Sequence, residues 1–185
     1  MQGTTSTARP LVRMAPVLVA FGIALGAAAL PARQPAGSDV ALETSVPTVV
    51  GEFVVERDEV RQDYALVLNG RRLVENEGAP IYLSPLIKGK RQDFVLVYVS
   101  SGGIACPGTF RALRVKSPVV LSEAFGTCSD SYRAKVEGDR LVVTMPAYIA
   151  HPEEFEPADL ARARRTEVIY TYVDGLLSER EVVRK

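Results

Sequence analysis

The chain has 185 residues with 22 basic and 22 acidic side chains, two cysteines, one histidine and no tryptophan. It lacks the excess of lysine and arginine on which binding to nucleic acids or anionic membranes depends, so we expect neither function. A single histidine also leaves few ways to build a catalytic or metal site. The length suits one domain with a hydrophobic core.

Residues 1–32 (MQGTTSTARPLVRMAPVLVAFGIALGAAALPA) predict a signal peptide. Arg9 and Arg13 precede an apolar run, residues 14–30, that ends in small side chains suited to cleavage. The alternative is an uncleaved anchor, although spanning helices normally need about 20 apolar residues. Loss of the two arginines leaves 20 basic and 22 acidic side chains, a net charge of −2. We expect a periplasmic or secreted protein that is not inserted in the membrane after cleavage.

The rest of the sequence predicts a flexible leader followed by a β-domain. Residues 33–47 (RQPAGSDVALETSVP) are polar and show no hydrophobic period, which indicates the leader. Residues 48–185 form the single β-domain, and the β-branched residues of 48–57 predict its first strand. The apolar run 94–99 (FVLVYV) predicts a central strand buried on both faces. A proline within residues 81–87 indicates an edge or irregular strand.

Turn signatures between these runs predict hairpins. The turns are Asn69-Gly70, a looser one at residues 116–118, Gly138-Asp139 and Asp174-Gly175. Asparagine, aspartate and glycine tolerate the positive φ angles that tight hairpin turns require. Alternation before Gly138-Asp139 places Tyr132, Ala134 and Val136 toward the core. It places Arg133, Lys135 and Glu137 toward water.

One short helix is predicted from Pro157 to Arg165. Proline suits the first helical position, and acidic residues at the start and arginines at the end match the helix dipole. Seven to ten hairpin-joined strands with this helix predict an all-β fold. The expected architecture is an antiparallel sandwich or a partly closed barrel.

Cys106 and Cys128 are predicted to form a disulfide. Exported proteins meet an oxidising compartment, where a lone pair of cysteines is typically bonded. Two cysteines and one histidine do not supply the four ligands of a structural metal site, and a catalytic cysteine would depend on His151 as its base. Closing this loop stabilises a fold by about 3 kcal/mol. We expect no cofactor and no metal.

Catalytic signals are scarce. His151 lies in AYIAHPEEFEP, which is compatible with an acid–base group or a weak metal site, but we favour a solvated loop because the histidine lacks an evident partner. The chain contains no phosphate-binding glycine loop, no HExxH motif and no nucleophile elbow. We therefore expect no enzymatic activity, and a secreted enzyme with an acidic cleft is the alternative.

The predicted disulfide draws together the segments SSGGIACPG and AFGTCSDSY. A clamped loop loses less entropy on binding, which favours a contact surface. The candidate binding residues offer polar groups around an aromatic ring; they are Ser101, Ser129, Asp130, Ser131 and Tyr132. The alternative is that the disulfide only braces glycine-rich loops.

The run CPGTFRAL…VKSPVVLSEAFGTCSDSYRAKVEGDRLVVTMP resembles uncharacterised single-domain β-proteins of the bacterial periplasm. The resemblance lies in Cys106, the GTCSD segment from Gly126 to Asp130, and the Gly-Asp hairpin that ends at Pro146. It implies the fold and the disulfide, and no activity. A looser similarity to periplasmic lysozyme inhibitors and immunity proteins, several of which insert a serine- and tyrosine-bearing loop into the lysozyme cleft, implies a contact role for Ser129 to Arg133.

These patterns together predict an exported, non-catalytic binding module of the bacterial envelope. Its expected partner is another envelope or secreted protein, as for an inhibitor or an immunity-type protein. A third possibility, besides the enzyme, is a structural component of the envelope that assembles through exposed sheet edges.

Overall fold

A computed structural model describes residues 42–103, 105–149 and 151–185, all within one compact unit. The predicted signal peptide, residues 1–32, and residues 33–41 of the predicted leader lie outside the described residues. The first strand begins at Ser45, inside the range 33–47, because Val46 is buried there with 2% of its surface exposed.

The described residues form 12 strands in three four-stranded sheets, and every pair of neighbouring strands is antiparallel. The N-terminal sheet contains β1 (Ser45–Thr48), β2 (Gly51–Asp58), β3 (Asp63–Leu68) and β4 (Arg71–Asn76). The central sheet contains β5 (Ile81–Leu83), β6 (Asp93–Ser100), β7 (Gly108–Val115) and β8 (Val120–Leu121). The C-terminal sheet contains β9 (Arg133–Glu137), β10 (Arg140–Pro146), β11 (Thr166–Val173) and β12 (Leu176–Val183). The predicted all-β, hairpin-rich fold is confirmed.

The central sheet is covered on both faces, which is clearest at β6. Successive side chains of a strand point to opposite faces. Phe94 and Leu96 join the core cluster that includes the C-terminal sheet, and Val95 and Val97 join the cluster that includes the N-terminal sheet. All four side chains are fully buried. The predicted central strand is therefore confirmed.

Backbone angles explain why the hairpins turn where they do. Asn69 and Gly70 have φ angles of 50° and 77°, and Asp174 and Gly175 have 48° and 92°. Gly138 also has a positive φ of 67°. Two consecutive residues with positive φ give a turn whose twist matches that of the flanking strands. The three predicted tight hairpins are confirmed.

The prediction of one strand over residues 48–57 is wrong, because the chain turns between β1 and β2. The Thr48 hydroxyl donates to the carbonyl of Gly51 at 2.6 Å, and the Asn69 amide donates to the carbonyl of Val50 at 3.1 Å. Gly51 has a φ of 126°, which favours glycine, and a Cβ atom there would lie 2.5 Å from Asn69 Oδ1. A contact from another hairpin thus stabilises a turn that has no turn signature of its own.

Two buried serines end the edge strands of the central sheet. The Ser84 hydroxyl accepts from the Leu96 amide at 2.9 Å after β5, and the Ser122 hydroxyl accepts from the Ala112 amide at 2.8 Å after β8. The amides of both serines also donate to the neighbouring strand, Ser84 to the carbonyl of Leu96 and Ser122 to the carbonyl of Ala112, each at 2.8 Å. The pairing of the edge strands therefore extends one residue beyond β5 and β8, and the connections start after these serines.

The connection between β10 and β11 contains the helical residues. A short 3-10 helix spans Pro152–Glu154, and α1 spans Pro157–Ala163, which confirms the predicted helix with an earlier end. Asp159 lies in the first turn of α1 and Arg162 in its last, as the dipole favours. Neither helix buries a residue. No described helix is long and apolar enough to cross a bilayer.

Candidate functional site

The Cys106–Cys128 disulfide joins two connections at one end of the central sheet. We call them the disulfide loops: residues 101–107 between β6 and β7, and residues 122–132 between β8 and β9. The predicted pairing is confirmed. Because the second loop leads into β9, the bond fastens the start of the C-terminal sheet to a hairpin of the central sheet.

Aromatic side chains of the core pack against the second disulfide loop. The ring of Phe110 on β7 lies 5.0 Å from Tyr98 and 4.8 Å from Tyr132, measured between ring centroids. The ring centroids of Phe125 and Tyr170 are also 4.8 Å apart. Tyr132 and Phe125 belong to the second loop, so this loop contributes two large side chains to the core. Its backbone is thereby fixed by packing as well as by the disulfide.

Tyr132 is a core residue. Two roles were predicted for it, an inward position in the alternation that leads into β9 and a place among the candidate binding residues. Its side chain is 1% exposed and packs on Phe110, so its ring is not available at the surface. We therefore leave Tyr132 out of the contact surface; the alternation pattern described its position better.

The serines of the candidate site shape the loop backbone. The Ser101 hydroxyl donates to the carbonyl of Cys106, and the Ser101 amide donates to the carbonyl of Pro107 at 2.9 Å. In the other loop, the Ser131 amide donates to the Ser129 hydroxyl at 3.2 Å. Ser101 is exposed, and Ser129 and Ser131 are half-buried. Their hydroxyl groups thus form a polar rim whose geometry is set within the loops.

Asp130 brings negative charge to this rim. Burial raises the pKa of Tyr98 to about 12, and the negative charge of Asp130 adds to the effect. The carboxylate of Asp130 therefore lies within electrostatic reach of the buried hydroxyl of Tyr98. Since Asp130 is half-buried, its charge is less screened by water than that of an exposed carboxylate. The rim formed by Ser101, Ser129, Asp130 and Ser131 is the candidate contact surface.

His151 lies far along the chain from the disulfide loops, in the connection between β10 and β11. Its Nδ1 atom is 3.3 Å from Glu153 Oε1, and the two side chains are 63% and 69% exposed. Within residues 42–103, 105–149 and 151–185, no three His, Cys, Asp or Glu side chains converge in a way that could hold a metal. The histidine is thus placed in solvent beside one carboxylate.

Two shallow cavities lie on the outer sheet faces, away from the disulfide loops. One, of about 490 Å³, lies on the N-terminal sheet, and the other, of about 370 Å³, lies on the C-terminal sheet. The sequence did not single out the lining residues of either. Alternation on β9 did predict that Lys135 and Glu137 face water, but it gave no sign of which other charges join them.

No protein-family model, no curated protein and no solved structure matches the chain. The function of the chain therefore has to be inferred from its own residues.

Proposed function

We propose that this protein is an exported, non-catalytic binding module of the bacterial envelope, and that it contacts its partner through the disulfide loops. The observation that carries this proposal is the Cys106–Cys128 bond, which fastens two loops with a half-exposed polar rim over a packed aromatic base. A pre-ordered loop pair loses little conformational entropy on association, so its contacts count more fully toward affinity.

Two observations support export. The disulfide needs an oxidising compartment to form and persist, which for bacteria is the periplasm or the exterior. The basic and then apolar stretch of residues 1–32 is typical of a secretory signal. Together they favour a periplasmic or secreted location.

The chemistry of the rim favours a protein partner. Ser101, Ser129 and Ser131 offer hydroxyl groups that adapt to several hydrogen-bond geometries, and Asp130 offers one partly screened negative charge. A single carboxylate within a hydroxyl rim complements a lysine or arginine on another protein. The similarity to lysozyme inhibitors and immunity proteins points to an envelope-acting enzyme as the class of partner to test first.

The proposal is tested by immobilising the exported protein and identifying what it retains from envelope extracts and from a panel of lysozymes. For a retained partner, we expect Asp130→Asn to weaken binding about tenfold, since a charged hydrogen bond contributes about 1.5–3 kcal/mol. Glu52→Gln on β2 is the matched control, because it removes one exposed carboxylate elsewhere. A panel that retains nothing would contradict the binding module. Equal affinities of the two variants would remove the disulfide loops from the contact.

A second candidate, a structural component of the envelope, is favoured by one observation. β12 is an edge strand of the C-terminal sheet, and seven of its eight residues are exposed. Leu176 is 77% exposed, and Val182 and Val183 are 37% and 41% exposed. An exposed edge with apolar side chains is able to pair with another strand. Sedimentation at high concentration tests this candidate, and a strictly monomeric protein would contradict it.

A further inference from the structure

The outer face of the C-terminal sheet has a defined set of side chains because the strand register fixes them. Leu141 and Val143 of β10 are buried, so Val142 between them points to the outer face. Residues directly opposite one another in antiparallel strands share a face. Those aligned with Val142 across the sheet are Lys135, Thr171 and Ser178. Val142, Thr171 and Ser178 therefore form a floor of small, partly hydroxylated side chains, with Lys135 at its β9 end.

Charged side chains surround this floor. Together with the floor they line an open cavity of about 370 Å³, which we call the outer groove. Its polar lining comprises Lys135, Glu137, Arg140, Thr144, Thr171, Ser178 and Arg180. Cavities of about 300 Å³ or more are the size that small ligands occupy in proteins.

The outer groove has more positive than negative charge. Three cations and one carboxylate line it, which leaves a formal charge of +2. The Lys135 ammonium is 2.7 Å from Glu137 Oε1. Arg140 and Arg180 make no ion pair with any residue in the described part of the chain. Two guanidinium groups thus remain for an external anion.

These cations converge although they come from different strands. Glu137 lies on β9 and Arg180 on β12, the two opposite edges of the sheet. Lys135 lowers the pKa of Glu137 most, through its hydrogen bond, and the charges of Arg140 and Arg180 lower it further. The positive charge of Arg180 on β12 therefore acts on a carboxylate of β9, so a carboxylate of the protein already lies in this positive field.

The cavity on the N-terminal sheet provides the contrast. Its Arg57 pairs with Glu59 at 3.6 Å, and its Arg72 pairs with Glu75 at 3.3 Å. Five carboxylates and three arginines line it, so its arginines are neutralised within the protein. Although that cavity is larger, only the outer groove combines an excess of positive charge with arginines that have no described partner.

We propose that the outer groove is a binding site for a small, hydroxyl-bearing carboxylate of the size and chemistry of an acidic sugar residue. Arg140 and Arg180 bind the carboxylate, because a guanidinium presents paired N–H groups to it. Thr171 provides a hydroxyl group on the floor that exchanges hydrogen bonds with ligand hydroxyls. The Ser178 hydroxyl donates to the Thr171 carbonyl at 3.4 Å, so it serves as an acceptor for a ligand hydroxyl. No described aromatic side chain lines the groove, so recognition depends on these polar contacts rather than on ring stacking.

The test is titration of the exported protein with D-glucuronate, followed by calorimetry and by amide shifts in NMR spectra. D-glucose is the neutral comparison, inorganic phosphate the comparison without hydroxyl recognition, and a short glutamate peptide the polypeptide comparison. The double variant Arg140→Gln/Arg180→Gln removes the proposed anion site. Arg71→Gln/Arg164→Gln is the matched control, because it removes two exposed arginines elsewhere. Thermal melts of both variants establish that they are folded.

We expect glucuronate to bind at millimolar or lower concentration, to shift amides of β9 to β12, and to bind more weakly as salt increases. The affinity for glucuronate should fall about tenfold or more in Arg140→Gln/Arg180→Gln and stay at the wild-type value in Arg71→Gln/Arg164→Gln. Absent binding of glucuronate, or an equal loss in both variants, would overturn the site. Phosphate or the glutamate peptide binding as tightly as glucuronate would overturn the acidic-sugar assignment. Neither result bears on the disulfide loops, which Asp130→Asn tests separately.

Discussion

Two connections of this protein differ in how they are fixed to the domain. Residues 122–132 connect β8 to β9; their Ser122, Phe125 and Tyr132 are buried, and the segment carries one end of the disulfide. Residues 147–165 connect β10 to β11, and no described residue among them is buried. The second is the longer connection and contains the helix. Burial of large side chains, and not regular secondary structure, therefore decides which connection is part of the core.

The largest expected effect comes from Tyr132→Ala. Removing a large aromatic side chain from a packed core costs about 3–5 kcal/mol of unfolding free energy, since a cavity remains. Tyr132 is such a core side chain, because it is 1% exposed and lies against Phe110. Urea unfolding followed by fluorescence or circular dichroism measures the change. A loss below about 1 kcal/mol would mean that the connection is not part of the core.

Loss of the disulfide is expected to have the next largest effect. Cys106→Ala/Cys128→Ala opens a loop with a sequence separation of 22, which lowers the unfolding free energy by about 3 kcal/mol through the entropy of the unfolded chain. The reduced wild-type protein is the matched comparison and should unfold at the same urea concentration as the variant. If neither differs from the oxidised protein, packing alone fixes residues 122–132.

Alkaline pH tests the aromatic base of the disulfide loops. Burial raises the pKa of Tyr98 to about 12, with Asp130 adding to it, above the value of about 10 in an unfolded chain. The neutral phenol is thus favoured by folding, so this stabilisation is complete below pH 10 and lost as the pH rises toward 12. It corresponds to about 2–3 kcal/mol.

Tyr98→Phe should make the fall in unfolding free energy between pH 10 and pH 12 less steep, because the residue no longer ionises. Tyr148→Phe, in residues 147–165, is the matched control: its side chain is 42% exposed, and we expect the wild-type profile. Chemical unfolding at a series of pH values measures both. Identical profiles for Tyr98→Phe and wild type would contradict the role of burial.

The smallest effect on the unfolding free energy is expected in residues 147–165, the connection between β10 and β11. Phe155 is 43% exposed, so Phe155→Ser should change the unfolding free energy by less than about 0.5 kcal/mol. Limited trypsin digestion gives a second measurement, because Arg162, Arg164 and Arg165 lie in this exposed segment. Cleavage there should precede cleavage after Arg133, the first trypsin site that follows residues 122–132. Resistance of residues 147–165 to trypsin would show that they are packed against something in solution.

Much of the fold was predictable because its signals are local. Asn69-Gly70 and Asp174-Gly175 specify their turns through residues that accept positive φ angles. The turn between β1 and β2 was not predictable, since Val49 and Val50 resemble strand residues. It depends on the side chain of Asn69, which is 19 positions away from Val50 in the sequence.

In the candidate sites, too, some residues were predictable from local signals and others depend on distant contacts. The sequence indicated the disulfide and the polar residues beside it, but it could not decide whether Tyr132 faces a partner or the core, which depends on packing against Phe110. It also placed Lys135 and Glu137 on a solvent face. That Arg140 and Arg180 join them follows from the order and register of four strands, which no single segment encodes.

Local features of the sequence were sufficient to predict the hairpins, the pairing of Cys106 with Cys128, the short helix and the burial of β6. These features depend on local backbone preference, on the presence of only two cysteines, and on a continuous apolar run. The tertiary structure alone decided which sheet covers each face of the central sheet, and which charged side chains meet on the outer face of the C-terminal sheet. Those choices depend on contacts between residues far apart in the chain, whose free energy arises only when the sheets pack together.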